Sequence, residues 1–153
     1  MDQVKIANSN LIEDFRCDLR LQRKTETTIT NYCEWVRRFA DFLGIDLLEV
    51  KRDDLKKYLD HLLNAQGMRA TSIKFVFGCI SSFYTFLVDE SMIVDSPLPA
   101  FRRKYLRSYK NESASRPRQL ISIPQAKLLV NSILDVKDKT VVVLLFKTGM
   151  RRH

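Results

Sequence analysis

Between Thr28 and Leu43 the side chains Ile29, Tyr32, Cys33, Val36, Phe39, Ala40 and Leu43 follow 3-1-3-3-1-3 spacing. That spacing sets all seven on one face of a helix and fits no pleated strand. A helix with so wide an apolar face needs partners, and three neighbouring segments offer matching stripes. Leu11, Ile12, Phe15 and Leu19 make the first, with Ser9 or Asn10 as its expected cap and an end near Arg23. Leu55, Tyr58, Leu59, Leu62 and Leu63 make the third, opened by Asp53 and Asp54 and closed by Gly67. The fourth runs from Ala70 to about Glu90, with Ile73, Val76, Phe77, Ile80, Phe83, Tyr84 and Leu87 inward. Phe75, Cys79 and Phe86 lie off that stripe, so this helix is apolar most of the way round and belongs at the centre. Four Gly and four Pro are too few for the tight turns of a sandwich or barrel. The expected fold is all-α, a four-helix bundle large enough to fold alone.

Ser96-Pro97-Leu98-Pro99 reads as the end of this bundle, because proline biases its predecessor toward extended backbone. A basic, turn-rich strip follows from Phe101 to Arg118, with seven Lys or Arg against Glu112 alone, and it supplies +6 of the formal +8 charge. Charge this local, beside Tyr105 and Tyr109, suits a strip that tracks a phosphate backbone; the same composition also suits a solvated linker. Ser122-Ile123-Pro124-Gln125 then has the form of a capping box opening a new helix that runs to about Leu134. The run VVVLLF from Val141 to Phe146 fits a buried strand or a buried helix equally well by periodicity. The resulting domain reading is 1–98 for the bundle, 99–119 for the basic linker and 120–153 for the start of a second unit.

Cys17, Cys33 and Cys79 are odd in number, widely separated and each in a segment with helical spacing, as expected of buried free thiols in a reducing compartment. The longest unbroken apolar run is short of the roughly twenty residues a membrane span needs, and a cytoplasmic protein without a membrane partner is expected. His61 lies on a polar face with no nearby histidine or cysteine, so it reads as a surface residue. No metal site, cofactor or small-molecule substrate is expected from the pattern of residues.

Thr148-Gly149-Met150-Arg151 after an apolar segment resembles the T-G-x-R segment of the tyrosine recombinase (phage integrase) family. Thr28-Ile29-x-x-Tyr32 leading to Phe39-Ala40-x-Phe42-Leu43 is similar to the start of that family's SAM-like core-binding domain. The order of parts agrees over nearly the whole length. The resemblance implies a clamp on duplex DNA, with the bundle on one face and a catalytic domain on the other, and it favours helix for VVVLLF. It also implies catalysis by two arginines, a lysine, histidines and a tyrosine nucleophile, the cations offsetting charge on phosphorus while a phenol attacks it. Arg151 matches the first arginine, and no other residue here matches that set. All five tyrosines precede it, so a truncated recombinase that does not cleave DNA is expected.

Under the resemblance, the DNA-contact candidates are polar groups at helix starts and in the linker: Lys24, Thr25 and Thr28; Arg69, Thr71, Ser72 and Lys74; Arg102, Arg103 and Lys104. Arg37 and Arg38 lie mid-helix and are weaker candidates. Double-stranded DNA is the expected partner, with other recombinase protomers a second one left open. Two alternatives remain: a stand-alone DNA-binding regulator, which the apolar girth of the fourth helix disfavours, and a helical protein-interaction module. Leu128, Leu129, Ile133 and Val141 to Phe146 are expected to need partners from further helices.

Overall fold

The computed structural model describes residues 2–107 and 121–149. The backbone forms two compact units, Met1–Arg116 and Pro117–His153, and among the described residues every regular element is helical. The first unit comprises α1 (Asp2–Leu21), α2 (Glu26–Leu43), α3 (Arg52–Asp60), α4 (Ala70–Asp89) and α5 (Leu98–Phe101). A 3₁₀ turn at Leu47–Glu49 precedes α3, and wider π turns at His61–Ala65 and Arg102–Leu106 extend α3 and α5.

Helix α4 is the hub. Ile73, Val76, Phe77, Cys79, Ile80, Phe83, Tyr84, Phe86 and Leu87 are all buried, which uses most of its circumference, as the sequence pattern demands. Phe15 of α1 packs against Phe83 and Phe86 with ring centroids 5.4 and 5.5 Å apart, and Phe39 of α2 meets Tyr58 of α3 at 4.9 Å. The 20-residue α4 is long and apolar enough by composition to cross a bilayer; here that apolar surface is the interior of the bundle.

The first helix differs from expectation, and its Cys17 is exposed, unlike the buried Cys33 and Cys79, because it lies off the Ile12, Phe15 and Leu19 face. It starts at Asp2 rather than after Ser9 or Asn10, because tertiary contacts employ its polar residues otherwise. Asn8 is buried inside the helix, where its amide nitrogen donates to the Ile45 carbonyl at 2.9 Å and its oxygen accepts the Leu47 N–H at 3.0 Å. Tyr84 donates to the Leu47 carbonyl at 2.7 Å. These three bonds satisfy backbone groups of a connector whose Leu47 side chain is fully buried.

Helix ends are marked by left-handed residues. Gly44 closes α2 at φ 64° and Gly67 follows the π turn at φ 57°. Arg23 and Ser91 take the same conformation without being glycine. At Arg23 the backbone completes a Schellman motif, with Lys24 N–H donating to Leu19 and Arg23 N–H to Arg20. The satisfied carbonyls offset the steric penalty of a side chain there.

A second difference concerns the basic strip. Its first part is helical: Pro97 and Pro99 start α5, where a missing N–H is harmless. Leu98, Phe101 and Leu106 join the core, and Phe101 stacks on Phe77 at 5.3 Å. Apolar residues at 98, 101 and 106, spaced through a charged run, drive this docking.

In the second unit, α6 (Ile123–Ser132) opens on the expected capping box, with Ser122 N–H on Gln125 Oε1 at 2.9 Å and Gln125 N–H on Ser122 Oγ at 3.4 Å. The VVVLLF run lies within α7 (Val136–Thr148), capped by Asp135 and closed by Gly149 at φ 65°. Neither helix has a buried side chain. Leu128 is 71% exposed, and Ile121, Val130, Val143 and Phe146 line an open apolar groove between the two helices.

Candidate nucleic-acid interface

The candidate residues fall on three segments that the fold treats differently. At the start of α2 the Thr25 side chain is already used. Its Oγ1 accepts the Thr28 N–H at 3.3 Å and lies 2.9 Å from the Thr28 hydroxyl. Glu26, in the same first turn, pairs with Arg20 at 3.6 Å. A carboxylate at this positive helix end competes with any phosphate, so this end offers mainly the exposed Lys24.

The start of α4 is open. Arg69 occupies the cap position with no side-chain hydrogen bond, and no acidic residue lies in the first turn. The backbone bond from Ile73 to Arg69 closes that turn, leaving the amides of Ala70, Thr71 and Ser72 ahead of the helical ladder. Thr71 is exposed and Ser72 half-buried. Side chains lean toward a helix's amino end, so Lys74 reaches back over the same turn.

Lys74 also joins α4 to α5. With Arg102, Arg103, Leu106 and Arg107 it lines an open groove whose walls carry four cations and no acid. Helical geometry at 102–107 produces this cluster, since residues three to five apart share a side of a π-extended turn. Arg107 was counted in sequence only as part of the strip's charge; a turn-rich reading hid its alignment with Arg103. Lys104 points elsewhere, its ammonium 5.3 Å from the centre of the Tyr105 ring, over which Arg52 of the α3 first turn also lies at 6.0 Å.

Ion pairing sets several cations of the bundle apart from the candidates. Arg37 and Arg38 both bind Glu34, at 3.0 and 2.9 Å, and these bonds, Arg38's first, hold the Glu34 carboxyl below the usual range. Arg16, Lys56 and Lys57 are paired with Glu13, Asp53 and Asp54. Among the described residues, Lys24, Arg69, Lys74, Arg102, Arg103 and Arg107 have no such acidic partner. Cations gathered without counter-charge repel one another and raise the local potential for a polyanion, an effect that fades beyond about 8 Å at physiological salt.

Two of the described tyrosines, Tyr58 and Tyr84, are buried in the core of the bundle. Burial pushes the Tyr58 phenol up to about 12 and raises that of Tyr84 as well. Tyr32 and Tyr105 pack against the bundle. Tyr109 and Arg151 lie outside the described residues.

The family model for the phage integrase N-terminal SAM-like domain matches residues 11–93, more than half of the chain. This protein belongs to that family. The matched span runs from the middle of α1 past the end of α4, and so contains both helix starts just described. Among curated proteins, the chain is similar to a tyrosine recombinase of Thermosipho africanus, at 25% identity over 140 residues, covering 86% of this chain and 46% of the relative. Tyrosine recombinase XerA of Saccharolobus solfataricus is 25% identical over 137 residues, with 82% and 42% covered. Tyrosine recombinase XerC of Pediococcus pentosaceus is 28% identical over 147 residues, with 92% and 48% covered. The chain thus spans about half the length of these relatives. No solved structure matches it.

Proposed function

We propose that this chain is the DNA-binding portion of a tyrosine site-specific recombinase or integrase, acting in DNA recombination and integration. The observation that carries the proposal is the groove where Lys74 from the start of α4 meets Arg102, Arg103 and Arg107 from the α5 segment. In this reading a phosphate lies across the open first turn of α4, taking hydrogen bonds from its free amides and charge from Lys74. A neighbouring phosphate lies along the arginines. Lys24, Thr25, Thr28, Arg69, Thr71, Ser72 and Lys104 flank this path as further backbone contacts.

The assigned organisation is 1–98 for DNA binding by the helical domain, 99–119 for the basic connection and 120–153 for the opening of a catalytic domain. Arg151 is assigned as the first catalytic arginine. Strand cleavage is not assigned to this stretch of chain: its described tyrosines are packed in the bundle, and the phosphoryl chemistry needs a nucleophile beside the arginine. The work is assigned to the cytoplasm, with duplex DNA as substrate. Exposed apolar side chains on α6 and α7 support a protein contact as well, for which other recombinase protomers are the proposed partners.

The test is binding of a labelled duplex of about thirty base pairs, followed by fluorescence anisotropy over a salt series. Six to eight phosphate contacts predict a log-log slope of about −5 to −7. Absence of binding at low salt would overturn the proposal.

A further inference from the structure

Resting on the DNA-binding reading, we propose that Phe75 is a sequence-reading side chain of this interface and that it takes the C5-methyl group of a thymine. Phe75 follows Lys74 on α4 and keeps 46% of its surface exposed. It lies one turn beyond Thr71, so Thr71, Lys74 and Phe75 share the outward side of the helix's first two turns. Its ring is braced from α2 by Tyr32, edge to face at 6.3 Å and 77°. Phe42 is another exposed aromatic of the bundle, and it is already engaged by Tyr58 and His61 at 5.2 and 4.5 Å.

An aromatic ring held open beside unpaired cations gains nothing from phosphate oxygens, which it cannot bond. The cations bring a polyanion to the surface, and the ring must meet that polyanion's apolar atoms. In duplex DNA the apolar group displayed on a base edge in the major groove is the thymine methyl, and that groove is wide enough to admit a helix. With phosphates drawn to the α4 first turn and to the arginine groove, the outward side of α4 faces the base edges between them. Tyr32 removes much of the ring's freedom before binding, so the contact orders little that is not already ordered.

Selection from a random thirty-base-pair duplex pool with the intact chain, followed by competition binding, tests this. The wild type is expected to enrich at least one thymine. Replacing that thymine by deoxyuridine, which lacks only the methyl, is expected to weaken binding about fourfold, as for one buried methyl. Phe75→Ala is expected to show no response to the deoxyuridine change. Phe75→Leu, which keeps apolar bulk, is expected to retain part of it and guards against misreading a folding defect. Enrichment without any thymine, or an equal deoxyuridine effect in wild type and Phe75→Ala, would overturn the inference while leaving DNA binding intact. No binding to the pool by the wild type would overturn both.

Discussion

Replacing Phe101 by Ala tests whether the start of the basic strip is part of the folded bundle. The side chain is fully buried, stacked on Phe77 at 5.3 Å with a 22° tilt and packed against Tyr105 at 4.9 Å. Truncating a buried phenylalanine costs about 3–5 kcal/mol, the loss of ring contacts included. A unit of this size has roughly 5–15 kcal/mol in total, so the melting temperature should fall on the order of 20 °C. The loss has a ceiling, however. If α5 detaches on its own, global stability falls only by the free energy of docking that segment, and the amides of residues 102–106 lose hydrogen-exchange protection ahead of α4. Thermal melts with residue-resolved exchange separate the two routes. In either case duplex affinity should drop, because Arg102, Arg103 and Arg107 are held beside Lys74 only while Phe101 is docked. A melting temperature within about 2 °C of wild type and unchanged protection at 102–106 would refute the reasoning, since that is the behaviour of a solvated linker.

Asn8→Ala should destabilise the bundle by about 2–4 kcal/mol in chemical denaturation, because it strands the Ile45 carbonyl and the Leu47 N–H at a buried connector; Ser9→Ala, one residue on, should change little. Asp54 accepts the Lys51 backbone N–H at 3.1 Å, and that bond, ahead of Lys57, holds its carboxyl below the ordinary value of 3.8. A depressed acid stabilises the folded state above its unfolded pKa and ceases to as pH falls through its folded one. Asp54→Asn should therefore be less stable than wild type at neutral pH, with the gap closing below about pH 4 in melts across a pH series.

The stripes of α2 and α4 were legible because period and burial coincide there: each of the seven inward residues expected for α4 is buried. The capping box at Ser122 and the stops at Gly44 and Gly149 were legible for the same local reason, a residue type matched to one backbone need. What sequence hid was non-local or cryptic. Nothing around Asn8 announces a partner some forty residues away, and so α1 appeared to begin too late. Arg23 and Ser91 end helices in a conformation that usually advertises itself with glycine. At the interface, charge density marked the right segment, but taking it as turn-rich obscured Phe101 and Leu106 as anchors and Arg107 as a member of the groove. Pattern alone also could not distinguish Arg37 and Arg38, which share Glu34 as an acidic partner, from arginines without one. Phe75 was visible as lying off the α4 stripe, but its exposure depends on how α2 and α5 surround that helix start.

The central claim is that one cationic groove, and not the chain's positive charge in general, engages DNA. Its most direct test compares the salt dependence of duplex binding for wild type, for Lys74, Arg102 and Arg103 changed together to Ala, and for Arg37 and Arg38 changed together to Ala. Three lost phosphate contacts should flatten the log-log slope by about 2.7 in the groove variant, and the slope of the Arg37 and Arg38 variant should stay near wild type. Equal flattening per charge removed in both variants would contradict the claim, because the binding would then follow net charge rather than this site.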